Sequence, residues 1–260
     1  MYTANIYNIQ SFSISDGPGI RTVVFFQGCN LNCSWCHNPE SIPNTAPVGK
    51  IEERCIQCGN CSKQYSPENC YAGALVQSSR VMTPLELWEI LVKDHIYFAK
   101  SGGGVTFSGG ECMLQYQFLA DIITICREHG VHTAIDTAGH VPYDWFKQVK
   151  PDLFLYDIKA SSPNLHKKLT GVNGELIWDN LRKLKRDNRP VHVRIPCVKD
   201  GNWIELSDIA DRLKRLDVNE VELLEYHSFG LGKDKWYGQH RRRYTHATKE
   251  EMEYARTLFA

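Results

Sequence analysis

Six short apolar runs recur along the chain: RTVVFFQ (21–27), VTFS (105–108), HTAID (132–136), DLFLYDI (152–158), VHVRIP (191–196) and VELLEY (221–226). Each has strand length. Amphipathic stretches of helical length lie between them over 83–100, 114–130, 175–187 and 203–216, and a last helix is expected over 248–259. In the first helix Thr83 and Glu86 form a capping box, Pro84 takes the first helical position, and Leu85, Trp88 and Leu91 (or Val92) trace the apolar face. Gly130 marks the stop of the second. Strand–helix alternation at this spacing implies parallel strands under covering helices. Six strands are too few for a closed eight-stranded barrel, so an open partial barrel and a doubly wound sheet both accommodate them. Either fold gathers its site at the C-terminal ends of the strands. The motifs fall there, with Cys29 after the first strand, Gly109, Gly110 and Glu111 after the second, and Asp136 and Thr137 after the third. Asp157 and Lys159 follow the fourth, Arg194 closes the fifth and His227 follows the sixth.

The alternation breaks once, over residues 41–82, where Pro, Gly, Ser and Asn accompany four cysteines. Seven of the ten cysteines lie between Cys29 and Cys70, whereas Cys112, Cys126 and Cys197 are scattered. The N-terminus carries no basic stretch followed by an apolar core, and no segment approaches the roughly 20 apolar residues of a membrane span. A cytoplasmic protein with no membrane partner is expected. In that reducing setting clustered cysteines point to metal and not to disulfides. Lys plus Arg, 30 in number, equals Asp plus Glu, 30, which gives no support for a nucleic-acid binder.

The first cluster, Cys29, Cys33 and Cys36, offers three thiols in eight residues. Three thiolates can anchor an iron–sulfur cubane and leave one iron open, the logic by which a catalytic metal keeps a vacant position. The competing reading is a zinc knuckle with His37 as fourth ligand. The second cluster, Cys55, Cys58, Cys61 and Cys70, has the spacing C-x2-C-x2-C-x8-C. It suits a fully ligated [4Fe–4S] cluster, and the same four thiolates could hold zinc.

The flanks carry a resemblance. DGPGIRTVVFFQGCNLNCSWCHNPE (16–40) is similar to the signature of glycyl radical enzyme activating enzymes of the radical S-adenosylmethionine (SAM) superfamily. SGGGVTFSGGE (101–111), IDTAG (135–139), LYDIK (155–159), HVRIP (192–196) and LEYHSFG (224–230) follow in family order. The resemblance implies a partial open (β/α)6 TIM-type barrel over 1–48 and 79–260, with a small ferredoxin-like auxiliary cluster insertion over 49–78. It implies that SAM itself completes the cluster held by Cys29, Cys33 and Cys36. A flavodoxin or ferredoxin would supply the electron, SAM would be cleaved to a 5′-deoxyadenosyl radical, and that radical would take hydrogen from a glycine Cα of a partner glycyl radical enzyme under anaerobic conditions.

By the same resemblance Gly109, Gly110 and Glu111 receive the amino group of SAM. Trp35, Asp136, Lys159, Arg194 and His227 surround the cofactor, and Asp136, Thr137 and Asp157 suit a monovalent cation (Na+ or K+). Asp16, Gly17 and Gly19 face the glycine loop of the partner. Family members often have proline where Cys112 stands, and Cys112 is expected to be a tolerated replacement and not a ligand. Longer activators carry eight inserted cysteines, so the four here allow one auxiliary cluster. No catalytic side-chain acid or base is expected. Two alternatives remain, a radical SAM enzyme acting on a small molecule, like 7-carboxy-7-deazaguanine synthase, and a metal-stabilised electron-transfer or binding module.

Overall fold

The computed structural model describes residues 2–45, 47–62, 64–77, 79–234 and 242–259. Its strands are β1 (Ala4–Ser13), β2 (Arg21–Phe26), β3 (Val48–Lys50), β4 (Leu75–Gln77), β5 (Arg80–Met82), β6 (Gly104–Gly109), β7 (His132–Thr137), β8 (Leu153–Asp157), β9 (Val191–Cys197) and β10 (Val221–Glu225). The helices are α1 (Pro84–Leu91), α2 (His95–Ser101), α3 (Tyr116–Glu128), α4 (Tyr143–Gln148), α5 (Pro163–Thr170), α6 (Glu175–Arg186), α7 (Leu206–Arg215), α8 (Leu231–Asp234) and α9 (Lys249–Leu258). The six expected strands form a parallel array in the order β10-β9-β8-β7-β6-β2, and β1 and β5 extend it to eight strands. These two are antiparallel additions that the apolar-run pattern did not reveal, because β1 buries only Ala4 and Ile6 and leaves its second half in solvent.

Strand register separates the partial barrel from the doubly wound sheet. Parallel pairing sets Val24 beside Phe107, Phe107 beside Ile135, and Ile135 beside Phe154. Since side chains alternate between faces, this row and its i±2 neighbours share one face. Val24, Phe26, Val105, Phe107, Ile135, Phe154, Tyr156, Val193 and Ile195 are all buried in the main core beneath the helices. Burial of each large member is worth about 2 kcal/mol. The opposite face carries Arg21, Thr106, Ser108, His132, Asp136, Asp157 and Arg194, a polar inner wall that a doubly wound sheet would have to cover with a second layer of helices.

The Thr83–Glu86 capping box forms as expected, but the long first helix is interrupted by a 3-10 turn at Val92–Asp94. Its buried residues are Pro84, Leu87 and Leu91, and Trp88 packs half-buried against the core, so Trp88 and Leu91 lie on the expected face while Leu85 and Val92 are exposed. The cysteine-rich excursion leaves and rejoins the sheet through a separate two-stranded sheet, in which β3 pairs antiparallel with β4. Among the described residues no helix is long and apolar enough to cross a membrane.

Candidate active site

Beyond β2 the chain turns at Gly28 and enters the first cysteine loop. Main-chain hydrogen bonds fix the loop at both edges, from Gly28 N to Ser41 O (2.8 Å) and Cys29 N to Ile42 O (3.1 Å) on one side, and from Asn32 N to Thr170 O (2.8 Å) and Ser34 N to Leu169 O (2.9 Å) on the other. Cys29, Cys33 and Cys36 thereby line one cavity of about 630 Å³ at the C-terminal ends of the parallel strands. Burial, followed by the charge of Glu111, pushes the Cys29 thiol well up. A metal centre must therefore supply enough positive charge to draw out the proton. A multi-iron cluster does so, and it spreads its thiolates more widely than one ion does. Among the described residues no three His, Cys, Asp or Glu side chains are gathered closely enough for a single ion. His37, the alternative zinc ligand, places Nε2 2.8 Å from the carbonyl oxygen of His227 and stacks its ring on that of His227 at 3.9 Å. The donor set and the room around it fit a three-thiolate cluster.

At the end of β6 two glycines are required by contact. A Cβ on Gly109 (φ 116°) would stand 2.2 Å from Phe26 N, and one on Gly110 would stand 2.2 Å from Gly28 O. Both residues line the cavity with Ser108. Glu111 does not line it. Its buried carboxylate accepts from Thr137 Oγ1 (2.7 Å), Ala138 N (3.0 Å) and Met113 N (3.2 Å), and burial pushes its pKa up to about 7. Glu111 thus ties the end of β6 to the end of β7. Cys112 is buried with its thiol on Phe107 O (3.3 Å) and Asp136 O (3.4 Å), and it too lies off the cavity wall.

The inner wall carries a charge row set by register. Asp157 pairs with Arg194 across β8 and β9, and Ser108 donates to Asp136 Oδ2 (2.6 Å). Arg194 Nη2 lies 2.6 Å from Asp136 Oδ1, and Lys159 Nζ lies 2.7 Å from Asp157 Oδ2. Burial alone would raise Asp157 and lower Lys159. The pairing outweighs it in both, so Asp157 stays ionised and Lys159 stays protonated. Thr137 also lines the cavity, with its hydroxyl engaged by Glu111. Trp35 borders the cavity and packs edge-to-face on Tyr244 at 6.2 Å. His227 lines the cavity and its Nδ1 is buried with no hydrogen-bond partner among the described residues.

Asp16 also lines the cavity, held by Ser13 and 3.7 Å from Arg194 Nη1. Gly17 (φ 113°) and Gly19 (φ 69°) shape the turn before β2, and a Cβ on Gly19 would stand 2.4 Å from Gly103 N. In the excursion, Cys55, Cys58, Cys61 and Cys70 line a second cavity of about 220 Å³. Cys70 Sγ accepts from Ala74 N (3.1 Å) and Cys55 Sγ from Gln57 N (3.4 Å).

Two features escaped the sequence. Arg21, quoted but given no role, is fully buried and donates to Thr106 Oγ1 (2.6 Å), Val105 O (2.6 Å) and Pro18 O (3.0 Å), so it pins the glycine turn to β6. A charged residue at the head of the apolar run RTVVFFQ was the available signal. Lys233 Nζ reaches back to Asn38 Oδ1 (2.8 Å) and Glu40 Oε1 (2.6 Å), latching α8 to the cysteine loop. No sequence signal links positions so far apart.

Residues 23–213 match the radical SAM superfamily. The chain is 36% identical, over 98% of its length and 95% of the relative's, to the trans-4-hydroxy-L-proline dehydratase activating enzyme of Clostridioides difficile. It is 38% identical, over 90% of its length and 86% of the relative's, to the pyruvate formate-lyase-activating enzyme of Clostridium pasteurianum. A solved domain of pyruvate-formate lyase-activating enzyme from Bacteroides vulgatus superposes with a TM-score of 0.51 at 28% identity, covering 60% of this chain and 92% of that one. With three cysteines opening on a cavity at the strand ends and relatives of this kind matching nearly end to end, the chain belongs to the radical SAM superfamily and, within it, to the activating enzymes of glycyl radical enzymes.

Proposed function

We propose that Cys29, Cys33 and Cys36 hold a [4Fe–4S] cluster whose open iron is completed by SAM, and that the target is a glycine in a partner glycyl radical enzyme. The observation that carries this reading is the cavity shared by the three thiols and the polar strand-end row. When bound, cluster and SAM together supply reductive cleavage to methionine and a 5′-deoxyadenosyl radical that takes hydrogen from the glycine Cα. The protein binds, orients and shields.

Main-chain groups of Ser108, Gly109 and Gly110 are the part of the GGE motif that can meet the amino group of SAM, and Glu111 positions them from behind. Trp35 gives the cofactor an apolar wall, and the partnerless His227 Nδ1 offers a polar contact for a nucleoside. Burial and His246 lower the His227 pKa, so its ring is neutral at pH 7. Arg194 and Lys159 balance Asp136 and Asp157 and keep the wall near neutral overall. A monovalent cation is assigned to Asp136, Thr137 and Asp157; Asp157 Oδ1 is buried, makes no hydrogen bond among the described residues and has Arg194 Nε at 3.5 Å. Such an ion must share these carboxylates with Arg194 and Lys159. Asp16, Gly17 and Gly19 form the side of the cavity assigned to the partner's glycine loop.

The auxiliary unit is residues 49–78, set in a barrel of 1–48 and 79–260, and Cys55, Cys58, Cys61 and Cys70 are its cluster ligands. A flavodoxin or ferredoxin is the assigned reductant in a reducing cytoplasm. The test is anaerobic reconstitution with iron and sulfide, followed by dithionite and SAM. Formation of 5′-deoxyadenosine, and of a glycyl radical signal in an added glycyl radical enzyme, is expected. Material with intact clusters that yields neither refutes the assignment.

A further inference from the structure

We infer that Tyr244 is a positioning residue for the first cysteine loop: carried by the strap over residues 242–247 that precedes α9, it fixes Ser34 and Trp35, and through them the ligands Cys33 and Cys36 and the apolar wall of the SAM site. The inference deepens the reading above and rests on it.

A second, smaller core lies apart from the main one. Trp35, Leu169, Val198, Tyr226 and Tyr244 are buried together, with Cys33 and Leu165 packed against them. Its members come from the cysteine loop, α5, the segments after β9 and β10, and the strap. Trp35, Val198 and Tyr226 also line the first cavity, whereas Tyr244 stands behind them and is not among the lining residues. Tyr244 therefore acts on the site only through its neighbours.

Those contacts are specific. The Tyr244 ring meets Trp35 edge-to-face at 6.2 Å and Tyr226 edge-to-face at 5.8 Å. Its hydroxyl oxygen lies 2.5 Å from Ser34 Oγ, and its main-chain N–H donates to the Tyr226 hydroxyl (3.4 Å). Ser34 Oγ makes no other hydrogen bond among the described residues. Ser34 N is already held by Leu169 O (2.9 Å), so the short segment between two ligands is tied to α5 and to the strap at once. The strap is itself anchored. Thr245 donates from N (3.1 Å) and Oγ1 (2.5 Å) to Asp200 Oδ2, the Arg242 guanidinium sits 4.8 Å from the Tyr244 ring centroid, and Lys199 Nζ lies 2.6 Å from Glu251 Oε1 on α9.

Apolar packing alone does not need the tyrosine hydroxyl, and burying it unpaired would be unfavourable. Its partner is the residue between Cys33 and Trp35, where a small rotation moves a ligand and the cofactor wall together. Groups one step behind a metal ligand set its orientation. A loop released by the strap would populate its binding-competent arrangement less often, and apparent affinity for SAM falls by that fraction.

The test measures SAM affinity by calorimetry on the reconstituted, unreduced holoenzyme, per loaded cluster, and melting of the metal-free chain. Tyr244→Phe keeps the ring and removes the hydroxyl, and about three-fold weaker SAM binding is expected. Ser34→Ala is expected to do the same, and the double variant no more than either alone, since both break one bond. Tyr244→Ala also loses the ring contacts, and about thirty-fold is expected. Tyr156→Phe is the control. It removes another buried hydroxyl, which donates to Ile177 O (2.7 Å) in the main core, and is expected to lower melting with SAM affinity unchanged. Parent affinity in Tyr244→Phe and Tyr244→Ala overturns the inference, as do effects that multiply in the double variant, or equal weakening by Tyr156→Phe. Should Tyr244→Ala fail to fold, the Tyr244→Phe and Ser34→Ala cycle decides alone. A parent with intact clusters that binds no SAM is the separate failure, that of the activity, and takes this inference with it.

Discussion

Gly110→Ala tests whether close approach of the β6 end to the cysteine loop makes the site. The added Cβ would stand 2.2 Å from Gly28 O and 3.0 Å from Ser41 O, both main-chain atoms. Restoring ordinary contact requires the loop to retreat by about 1.2 Å. That movement breaks the hydrogen bond from Glu111 N to Gly28 O (2.8 Å) and loosens that from Gly28 N to Ser41 O (2.8 Å). Buried groups left unpaired cost about 1–3 kcal/mol each, so a loss of about 2–4 kcal/mol is expected. A chain with the usual 5–15 kcal/mol of stability still folds. The larger effect falls on function, because Cys29 is the residue after Gly28, and about 1 Å of misplacement can cost about 100-fold in rate. Gly130→Ala is the control. Gly130 has φ +70° with nothing within 4 Å of its added Cβ, so it carries a backbone strain of about 1–2 kcal/mol away from the site and no clash. Iron per chain, the denaturant midpoint and the rate of 5′-deoxyadenosine formation are measured on both. The reasoning fails if Gly110→Ala keeps the parent's SAM cleavage, or if Gly130→Ala loses as much.

Three further outcomes are expected. Cys33→Ala abolishes 5′-deoxyadenosine formation, whereas Cys58→Ala keeps it while lowering iron by about four atoms per chain; zinc in place of that iron, on metal analysis, would refute the auxiliary assignment. Lys233→Met strands Glu40, whose side chain is 9% exposed and whose Oε2 has no hydrogen-bond partner among the described residues, so a loss of about 2–3 kcal/mol of stability, read by denaturant unfolding, is expected, with recovery when Glu40→Gln is added; no recovery refutes the latch. Burial raises Glu111 from its ordinary 4.5 to about 7, so the folded metal-free chain binds more protons than the unfolded chain in that window, and stability should fall by about 3 kcal/mol as pH rises from 4.5 through 7. Glu111→Gln should flatten that slope, and an unchanged slope assigns it to another group.

What the sequence made legible was local. Strand runs, the capping box and the cysteine spacings depend on neighbours within a few residues, and the six parallel strands, the Thr83 capping box, the last helix and the loop after β2 all appear where the local pattern places them. Strand β1 was hidden because an edge addition with an exposed second half has no apolar run to detect. On α1 only Leu85 was misplaced, because Leu85 and Leu87 are equally apolar and only the neighbouring elements decide which faces inward. The Lys233 latch spans 193 residues to Glu40, and nothing in either neighbourhood announces it.

Arg194 shows how register turns a list of residues into chemistry. Sequence order sets it beside HVRIP and no carboxylate. Pairing of β8 with β9 sets it opposite Asp157, and the next strand brings Asp136 to 2.6 Å. Two acids and two bases, Asp136, Asp157, Arg194 and Lys159, then share one wall in pairs that burial alone would discharge. Such a wall is oriented but nearly neutral. It can therefore meet a ligand with separate carboxylate, ammonium and sulfonium charges without an excess of either sign, and removing any one of the four leaves a buried charge unmatched. Charge balance at this wall is thus a property of the strand register, which explains why the four residues had to be found one by one in the sequence and act together in the fold.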